Sequence, residues 1–328
     1  AQEAGALRAA GVEGRLLVMG SLLGTDLDAA LATGADVVAW REDFVEAVAA
    51  RGGGRIHVKL DTGMGRLGTR DPEEAGRVAG AAVAAPGVEL AGAMTHFATA
   101  DERGDRFFAE QLERFRAWAL PLHERHPGLI LHAANSAAIL RDRDAHLGMV
   151  RPGVGIYGLD PFGEDPAARD LEPALELRAA VAALKAIAPG QSVGYGRRFV
   201  ASQPTTIATL PVGYGDGWSR ALTNAADVLL AGERRPLVGT VSMDYVTVDA
   251  GPAPRVAVGD EAVLLGARGG GRILAEEVAR RLGTINYEVT TALLARIPRA
   301  YHRDGEPLNS QDAVLLGTES QRVGGTAR

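Results

Sequence analysis

The chain has 328 residues, no cysteine and a formal net charge of −6. These values exclude disulfide bonds and thiolate metal sites, and they argue against a general nucleic-acid binder, whose surface is basic. Hydrophobic residues make up 46% of the sequence, enough to bury a large core, and the length predicts about two domains. No apolar run approaches the ~18 residues of a membrane span, and the first residues form a helical pattern and not a signal peptide. We therefore predict a cytoplasmic protein with no membrane partner.

Helical and strand-like segments alternate through the first half of the chain. The predicted helices are 1–10, 26–32, 44–50, 71–85 and 106–125, and the predicted strands are 15–19, 37–40, 56–60, 90–95, 129–132 and 149–151. Such alternation indicates βαβ units and a parallel sheet. Polar residues follow the strand ends, and in a (β/α)8 barrel such residues converge on one face. The six predicted strands are too few to close that barrel, so one or two strands are unaccounted for.

The stretch 55–68 is a strand that runs into a turn with three glycines. It carries Lys59 and Arg66, and a Gly-rich turn after a strand brings backbone N–H groups to a ligand. Two solvated cations beside a tight turn explain the same pattern. Of the 35 basic residues only Lys59 and Lys185 are lysines, so any mechanism with a lysine nucleophile has two candidates here.

Beyond residue 161 the pattern changes from alternation to successive strands. Strands are predicted at 174–183, 205–211, 227–230, 237–241, 245–248 and 262–265, with one helix at 274–282. The segment Ala231-Gly232-Glu233 is typical of a hairpin turn. We predict an α/β barrel at 1–168, a mostly antiparallel β domain at 169–305 and a polar tail at 306–328.

Eight segments carry a family resemblance. They are 58–68 (Val-Lys-Leu-Asp-Thr-Gly-Met-Gly-Arg-Leu-Gly), 95–102, 134–138, 150–158, 192–196 (Ser-Val-Gly-Tyr-Gly), 210–218, 238–244 and 284–289 (Thr-Ile-Asn-Tyr-Glu-Val). In this order they resemble alanine racemase, a fold-type III pyridoxal 5'-phosphate (PLP) enzyme. The resemblance implies a PLP-binding barrel followed by a β domain, in a head-to-tail homodimer with composite active sites. It also implies interconversion of L- and D-alanine by a lysine and a tyrosine base, which supplies D-alanine for cell-wall peptidoglycan.

The resemblance also implies roles for individual residues. Tyr195 matches the tyrosine base, in Gly-Tyr-Gly where the family commonly has Ser-Tyr-Gly. Arg66 and Met243 match substrate contacts, and Arg151 matches the arginine that faces the pyridine nitrogen. The other cofactor positions are His96 beside the ring and, at the phosphate, Ser136, Gly153, Val154 and Tyr287. Supporting positions are Lys59, Asn135, Tyr214 and Asp244, and no metal site is expected.

The sequence departs from the family pattern at the PLP lysine. The family carries it in a segment resembling Lys-Ala-Asn-Ala-Tyr-Gly near its N-terminus, and no such segment occurs here. The resemblance therefore implies that the sequence lacks its N-terminal segment, and with it the first strands of the barrel, and we expect residues 1–328 alone to be inactive or nearly so. Lys59 matches a lysine that many family members carbamylate, and an ordinary lysine fits there equally well. Two other functions stay open: a PLP-binding homologue without catalysis, and a racemase of another small amino acid such as serine.

Overall fold

A five-stranded parallel sheet forms the centre of the first of two units. The computed structural model describes residues 1–308, and this unit comprises Ala1–Pro152 with residues 299–308. Its strands, in spatial order, are β1 (Leu17–Val18), β2 (Asp36–Ala39), β3 (Gly54–Lys59), β4 (Val88–Met94) and β5 (Ile130–His132). Its helices are α1 (Gln2–Ala9), α2 (Thr25–Ala32), α3 (Glu42–Ala49), α4 (Pro72–Ala84), α5 (Phe107–Arg125) and α6 (Ser136–Arg141). The predicted alternation and parallel pairing are thus confirmed.

The predicted strand at 149–151 is wrong. Met149 forms one isolated parallel bridge with His132, and the ladder stops there. The N–H of Arg151 donates to the carbonyl of Ala134 at 2.9 Å, and Pro152 has no N–H to continue a ladder. The segment is therefore extended but unpaired beyond one residue, which brings Arg151 beside the end of β5.

The second unit, Gly153–Pro298, is built on antiparallel strands. One sheet has the order β13 (Val246–Gly251), β10 (Thr205–Leu210), β7 (Ala183–Ile187). Another has the order β12 (Glu233–Pro236), β11 (Asp227–Leu230), β14 (Glu261–Arg268), β15 (Gly271–Ile273), with β6 (Leu177–Ala180) also paired to β14. β8 (Ser192–Val193) pairs with β9 (Phe199–Val200), and the helices are α7 (Ala275–Leu282) and α8 (Asn286–Thr291). All these pairs are antiparallel, as predicted.

Several details of this unit differ from the prediction. The segment 174–183 divides into β6 and β7, because the N–H of Val181 donates to Asp260 while that of Ala182 donates to Thr209, in another sheet. The predicted strand 237–241 is interrupted at Gly239, whose φ of 79° leaves the strand region. Helix α8 and the short strands β8, β9, β12 and β15 were not predicted. The hairpin turn is confirmed, since Ala231 and Gly232 join β11 to β12 with φ of 48° and 80°, a type I′ geometry.

The remaining described residues form a short hairpin of β16 (His302–Arg303) and β17 (Glu306–Pro307). The predicted polar tail begins at 306, and from residue 309 onward it lies outside the described residues. Among residues 1–308, none of the helices combines the length and apolar composition that a membrane span requires.

Candidate active site

Arg151 is held by groups at the ends of β4 and β5. Its Nη1 lies 2.9 Å from Nδ1 of His132, and its Nη2 donates to the carbonyls of Thr95 at 2.8 Å and Ala133 at 2.9 Å. Nη2 also lies 3.2 Å from Nδ1 of His96. The Nε–H has no partner within residues 1–308. Burial lowers the pKa of Arg151 to about 10, so the group is a fixed cation at neutral pH whose Nε–H is available to a ligand.

A row of buried polar groups extends from Arg151 to Asp36. A guanidinium only donates hydrogen bonds, so Nδ1 of His132 accepts from Arg151 and its proton lies on Nε2. That Nε2 lies 2.8 Å from Nδ1 of His57, and Nε2 of His57 lies 3.1 Å from Oδ2 of Asp36. Asp36 further accepts from Arg15 at 2.6 Å and from Arg55 at 2.5 Å. We name Asp36, His57, His132 and Arg151 the histidine row.

The pKa values of the row follow from burial and the neighbouring cations. Burial, then the charges of Arg151 and His57, lowers the pKa of His132 to about 2. Burial likewise lowers the pKa of His57 despite its bond to Asp36, and burial beside Arg151 lowers that of His96 to about 4. These rings are neutral at neutral pH. Burial raises the pKa of Asp36, but the hydrogen bonds from Arg15, Arg55 and His57 together lower it below its ordinary value.

The turn after β3 presents Arg66. The carboxylate of Asp61 accepts from the N–H groups of Gly63 and Gly65, each at 3.0 Å, and Gly65 has a φ of 72°, a region that favours glycine. The turn is therefore organised around one buried acid. The Arg66 side chain is exposed and has no hydrogen bond within residues 1–308.

Lys59 ends β3 beneath this turn. It is 4% exposed, and its ammonium has no hydrogen-bond partner within the part of the chain that the structure describes. Burial, then the charges of Arg66 and Arg151, lowers its pKa to about 8, against an opposing effect of Asp61. Three cations and the neutral His96 thus share one electrostatic environment, which suits an anionic ligand.

Asn135 and Ser136 lie at the start of α6. The side chain of Asn135 accepts from the N–H of Ala138 at 3.0 Å, which makes it the N-cap residue. Ser136 is buried, at 5% exposure. The bond from the Arg151 N–H to Ala134 keeps this segment beside the arginine.

In the second unit Tyr195 is 74% exposed and stands between two glycines with positive φ, Gly194 at 73° and Gly196 at 70°. The hydroxyl of Thr240 donates to its carbonyl oxygen at 2.7 Å. With Thr240, Ser242, Tyr245 and other residues, Tyr195 lines an open depression of about 370 Å³. The phenol is therefore presented outward from this unit.

Tyr214, Met243 and Asp244 are brought together by two interlocked loops. The N–H of Tyr214 donates to Ser242 at 3.0 Å, and the N–H of Gly215 donates to Met243 at 2.8 Å. Arg296 bridges Asp216 at 2.7 Å and Asp244 at 2.8 Å. A Cβ at Gly213 would overlap the carbonyl oxygens of Ser242 and Met243, so the loops need glycine there.

The remaining predicted residues also lie in the second unit. Gly153 and Val154 begin it, with Val154 buried at 6% exposure. Tyr287 follows Asn286 on α8 and is 38% exposed. Asn286 is buried, and its Nδ2 donates to the carbonyl of Asp160 at 2.8 Å, which anchors the start of α8.

Sequence reasoning missed Asp36, His57 and His132. A signal for them exists, because each is a polar residue inside a short apolar strand: Asp-Val-Val-Ala, Ile-His-Val and Ile-Leu-His. A polar residue at a buried strand position needs a partner. Residues 1–308 contain no group of three or more His, Asp or Glu side chains placed to hold a metal ion.

Comparisons with known proteins identify the family of this chain. The family model "Alanine racemase, N-terminal domain" matches residues 1–161, and "Alanine racemase, C-terminal domain" matches residues 174–301. The alanine racemase of Desulfovibrio desulfuricans is 39% identical over 305 residues, which cover 91% of this chain and 81% of that protein. That of Frankia casuarinae is 41% identical, over 92% of this chain and 80% of that protein.

The structure of alanine racemase from Streptomyces coelicolor A3(2) matches with a TM-score of 0.86 and 35% identity, over 92% of this chain and 83% of that one. That from Bacillus anthracis with bound L-Ala-P matches with a TM-score of 0.84 and 34% identity, covering 94% and 81%. The chain belongs to the alanine racemase family, with an N-terminal barrel domain and a C-terminal β domain.

Proposed function

We propose that this protein interconverts L-alanine and D-alanine with PLP as cofactor, and that the product supplies D-alanine for peptidoglycan. One observation supports this most directly: Lys59, Arg66 and Arg151 place three cations around His96 in the first unit. The phenolic oxygen of PLP and the carboxylate of alanine are both anionic, so a set of cations at this place suits the cofactor ring and the substrate.

The donors of the first unit fit the cofactor. The unpartnered Nε–H of Arg151 is available to a pyridine nitrogen, and a fixed cation there disfavours protonation of that nitrogen. When bound, PLP supplies an electron sink for negative charge at the substrate Cα. His96 lies beside Arg151 and would contact the ring. By keeping the pyridine nitrogen unprotonated, Arg151 weakens the electron sink of the cofactor, which suppresses side reactions such as transamination.

Phosphate binding falls to four residues in our proposal: Ser136 through its hydroxyl, Gly153 and Val154 through their N–H groups, and Tyr287 through its phenol. Asn135 supports Ser136 by capping α6. Small residues next to these donors let the main chain approach a phosphate closely.

Substrate binding is assigned to Arg66 and Met243. The planar guanidinium of Arg66 suits the alanine carboxylate and the phenolic oxygen of the cofactor. Met243 limits the size of the side chain beside Cα, while Tyr214 and Asp244 line the approach, fixed by the Arg296 bridge. If Lys59 is carbamylated, the new anion orients the guanidinium of Arg66.

Proton transfer is assigned to the phenolic oxygen of Tyr195, which takes the α-proton from one face of alanine or returns it there. We propose that it serves the active site of a second copy in a head-to-tail homodimer, which its outward position supports. The base on the other face is a lysine in the family that the sequence resembles. We assign that role to neither Lys59 nor Lys185.

The direct test uses protein made from the full-length gene and supplied with PLP. We expect L-alanine and D-alanine each to yield the same mixture of both, as measured by chiral chromatography, with L-serine converted far more slowly. Retention of PLP absorbance on the protein without any D-alanine would contradict racemisation and support a non-catalytic PLP-binding protein. Faster turnover of serine than of alanine would change the substrate assignment.

The composite site has its own test. Tyr195→Phe and Arg66→Ala should each lose nearly all activity when expressed alone. If one chain supplies Tyr195 and the other Arg66, mixed dimers contain one intact site, and co-expression should restore up to about one quarter of the activity. No restoration, with mixed dimers shown to form, would contradict the composite site.

A further inference from the structure

One face of helix α5 lies against the loop that follows β3. Phe107, Gln111 and Arg114 are spaced i, i+4 and i+7, so they share a face of the helix. A Cβ on Gly63 would overlap the Phe107 ring, so the loop approaches the helix closely there. Arg114 Nη1 donates to the carbonyl of Thr62 at 3.1 Å. The helix therefore supports the loop that carries Arg66.

Gln111 also contacts the loop that follows β4. Its Oε1 accepts from the N–H of Ala98 at 2.8 Å, which fixes the orientation of the amide. Its Nε2 then donates to Thr62 Oγ1 at 3.2 Å and to the carbonyl of His96 at 3.3 Å. The side chain is 0% exposed. One buried carboxamide thus joins two loops that have no ladder between them at this point.

The connection reaches both sides of the candidate site. Thr62 Oγ1 lies 2.7 Å from Thr95 Oγ1, and the carbonyl of Thr95 accepts from Arg151. His96, next in the chain, lies beside Arg151 through Nδ1. Loss of the Gln111 amide would leave the carbonyl of His96 and the N–H of Ala98 without a partner. The two loops would then have to separate or rotate.

We propose that Gln111 is a positioning residue, whose amide sets the spacing between the loop of Arg66 and the loop of His96 without touching either side chain. This inference rests on the proposed function only for its kinetic consequence. Its structural part is independent of any activity.

The first experiment follows the titration of His96 by NMR in the full-length protein, with the signal assigned by a His96→Gln variant. Arg151, Lys59 and Arg66 are the charged groups that lower the pKa of His96, to about 4. In Gln111→Met we expect that pKa to rise by about one unit or more, because the ring moves toward solvent. Gln191→Met, an exposed glutamine that accepts from Ala188 N–H at 2.7 Å, is the matched control and should leave it unchanged.

The second experiment measures alanine kinetics in the PLP-loaded protein. Thr62→Val removes the hydroxyl that Gln111 contacts, whereas Thr62→Ser keeps it. The Thr62→Ser variant should therefore retain activity towards alanine that the Thr62→Val variant loses. We expect Gln111→Met to raise KM for alanine by about tenfold and to lower kcat by less, because Arg66 is displaced. The double variant Gln111→Met/Thr62→Val should be little worse than either single one.

An unchanged His96 titration in folded Gln111→Met would overturn the proposal, as would equal kinetics of Thr62→Val and Thr62→Ser. If Gln111→Met does not fold, Thr62→Val supplies the same two measurements. Should the parent protein show no racemisation, the proposed function fails, while the His96 titration still decides the role of Gln111.

Discussion

The imidazole nitrogens Nδ1 of His57 and Nε2 of His132 lie 2.8 Å apart, although 75 residues separate them in the chain. Both rings are neutral and nearly inaccessible to solvent, at 2% and 0% exposure. Because the row ends in a guanidinium at one side and a carboxylate at the other, only one tautomer of each ring satisfies every contact. Arg151 at one end and Asp36 at the other therefore favour the same tautomer of His132.

Replacing Asp36 should affect both stability and activity. Asp36→Asn removes the charge that Arg15 and Arg55 contact and lets an amide N–H face His57, so we expect a loss of about 1–3 kcal/mol in the free energy of unfolding. We also expect a lower kcat/KM, since the opposite tautomers would set His132 N–H against Arg151. Urea unfolding and alanine kinetics measure both. Asp28→Asn, which breaks an exposed pair with Arg51, is the control and should cost less than about 0.5 kcal/mol.

The buried histidines predict the pH dependence of stability. Between pH 6.5 and about 4, His132 and His96 are neutral when folded but protonated when unfolded, because their pKa values fall to about 2 and about 4. The unfolded state then binds more protons, so stability falls as pH decreases through this window, by up to about 1.4 kcal/mol per pH unit for each ring. Asp36, with its lowered pKa, adds a loss in the same direction below pH 3.8.

Urea unfolding at several pH values between about 7 and about 4.5 measures this slope. The slope measures how many more protons the unfolded state binds than the folded state. His132→Gln should reduce this number by up to one, whereas His302→Gln, at an exposed residue of β16, should leave the slope unchanged. A slope in the parent protein that is flat below pH 6.5 would contradict neutral, buried rings.

Lys59 should react with carbon dioxide more readily than an ordinary lysine. With a pKa of about 8, much of it is a neutral amine in mildly alkaline solution, whereas a lysine with the usual pKa of about 10.4 is almost entirely protonated there. Isotope-labelled bicarbonate should give a carbamate NMR signal that Lys59→Arg abolishes. Lys185→Arg, which changes the exposed lysine of β7, should preserve it. If Lys185→Arg and not Lys59→Arg abolishes the signal, Lys185 forms the carbamate and the prediction is wrong.

Removing the phenol of Tyr195 should affect turnover more than binding. We expect Tyr195→Phe to lower kcat by about 10²–10⁴-fold with a smaller change in KM, because a base is lost while the ring remains. Tyr301→Phe removes another phenol, outside the candidate site, and should stay within about twofold of the parent. Equal kcat for Tyr195→Phe and the parent would exclude Tyr195 as a base.

The two interlocked loops that carry Tyr214 and Met243 require glycine at position 213. Gly213→Ala places a methyl group against the carbonyl oxygens of Ser242 and Met243, and we expect a loss of about 1–3 kcal/mol in the free energy of unfolding. Gly5→Ala in α1, where nothing lies within 4 Å, should instead stabilise by about 0.5–1 kcal/mol. Thermal unfolding of the two variants compares them directly, and similar shifts in both would show that the loops rearrange freely.

Local sequence patterns were enough to predict much of the fold. The βα alternation of the first unit and the turn at Ala231-Gly232 follow from periodicity and from residues that tolerate positive φ. Other features depend on partners far along the chain. The division between β6 and β7 requires Asp260 and Thr209 as acceptors, and the contact of His57 with His132 requires two strands to meet. Neither is encoded in a window of ten or twenty residues.

The candidate site shows the same limit. Lys59 and Arg66 lie within one segment of the sequence, seven residues apart, so a strand and a Gly-rich turn were enough to single them out. Gln111 gave no signal, because a glutamine on an amphipathic helix is ordinarily a solvated residue. Its role depends on the closeness of two loops, which only the folded chain reveals.

The histidine row ends in a group that keeps its protons at any physiological pH. Protons cannot move along this chain of hydrogen bonds, because the guanidinium at its end does not release one. The row therefore orients its side chains and does not transfer protons. Any exchange of solvent hydrogen with the substrate must then bypass the histidine row. Deuterium from the solvent should enter the product at the same rate per turnover in the parent protein and in Asp36→Asn.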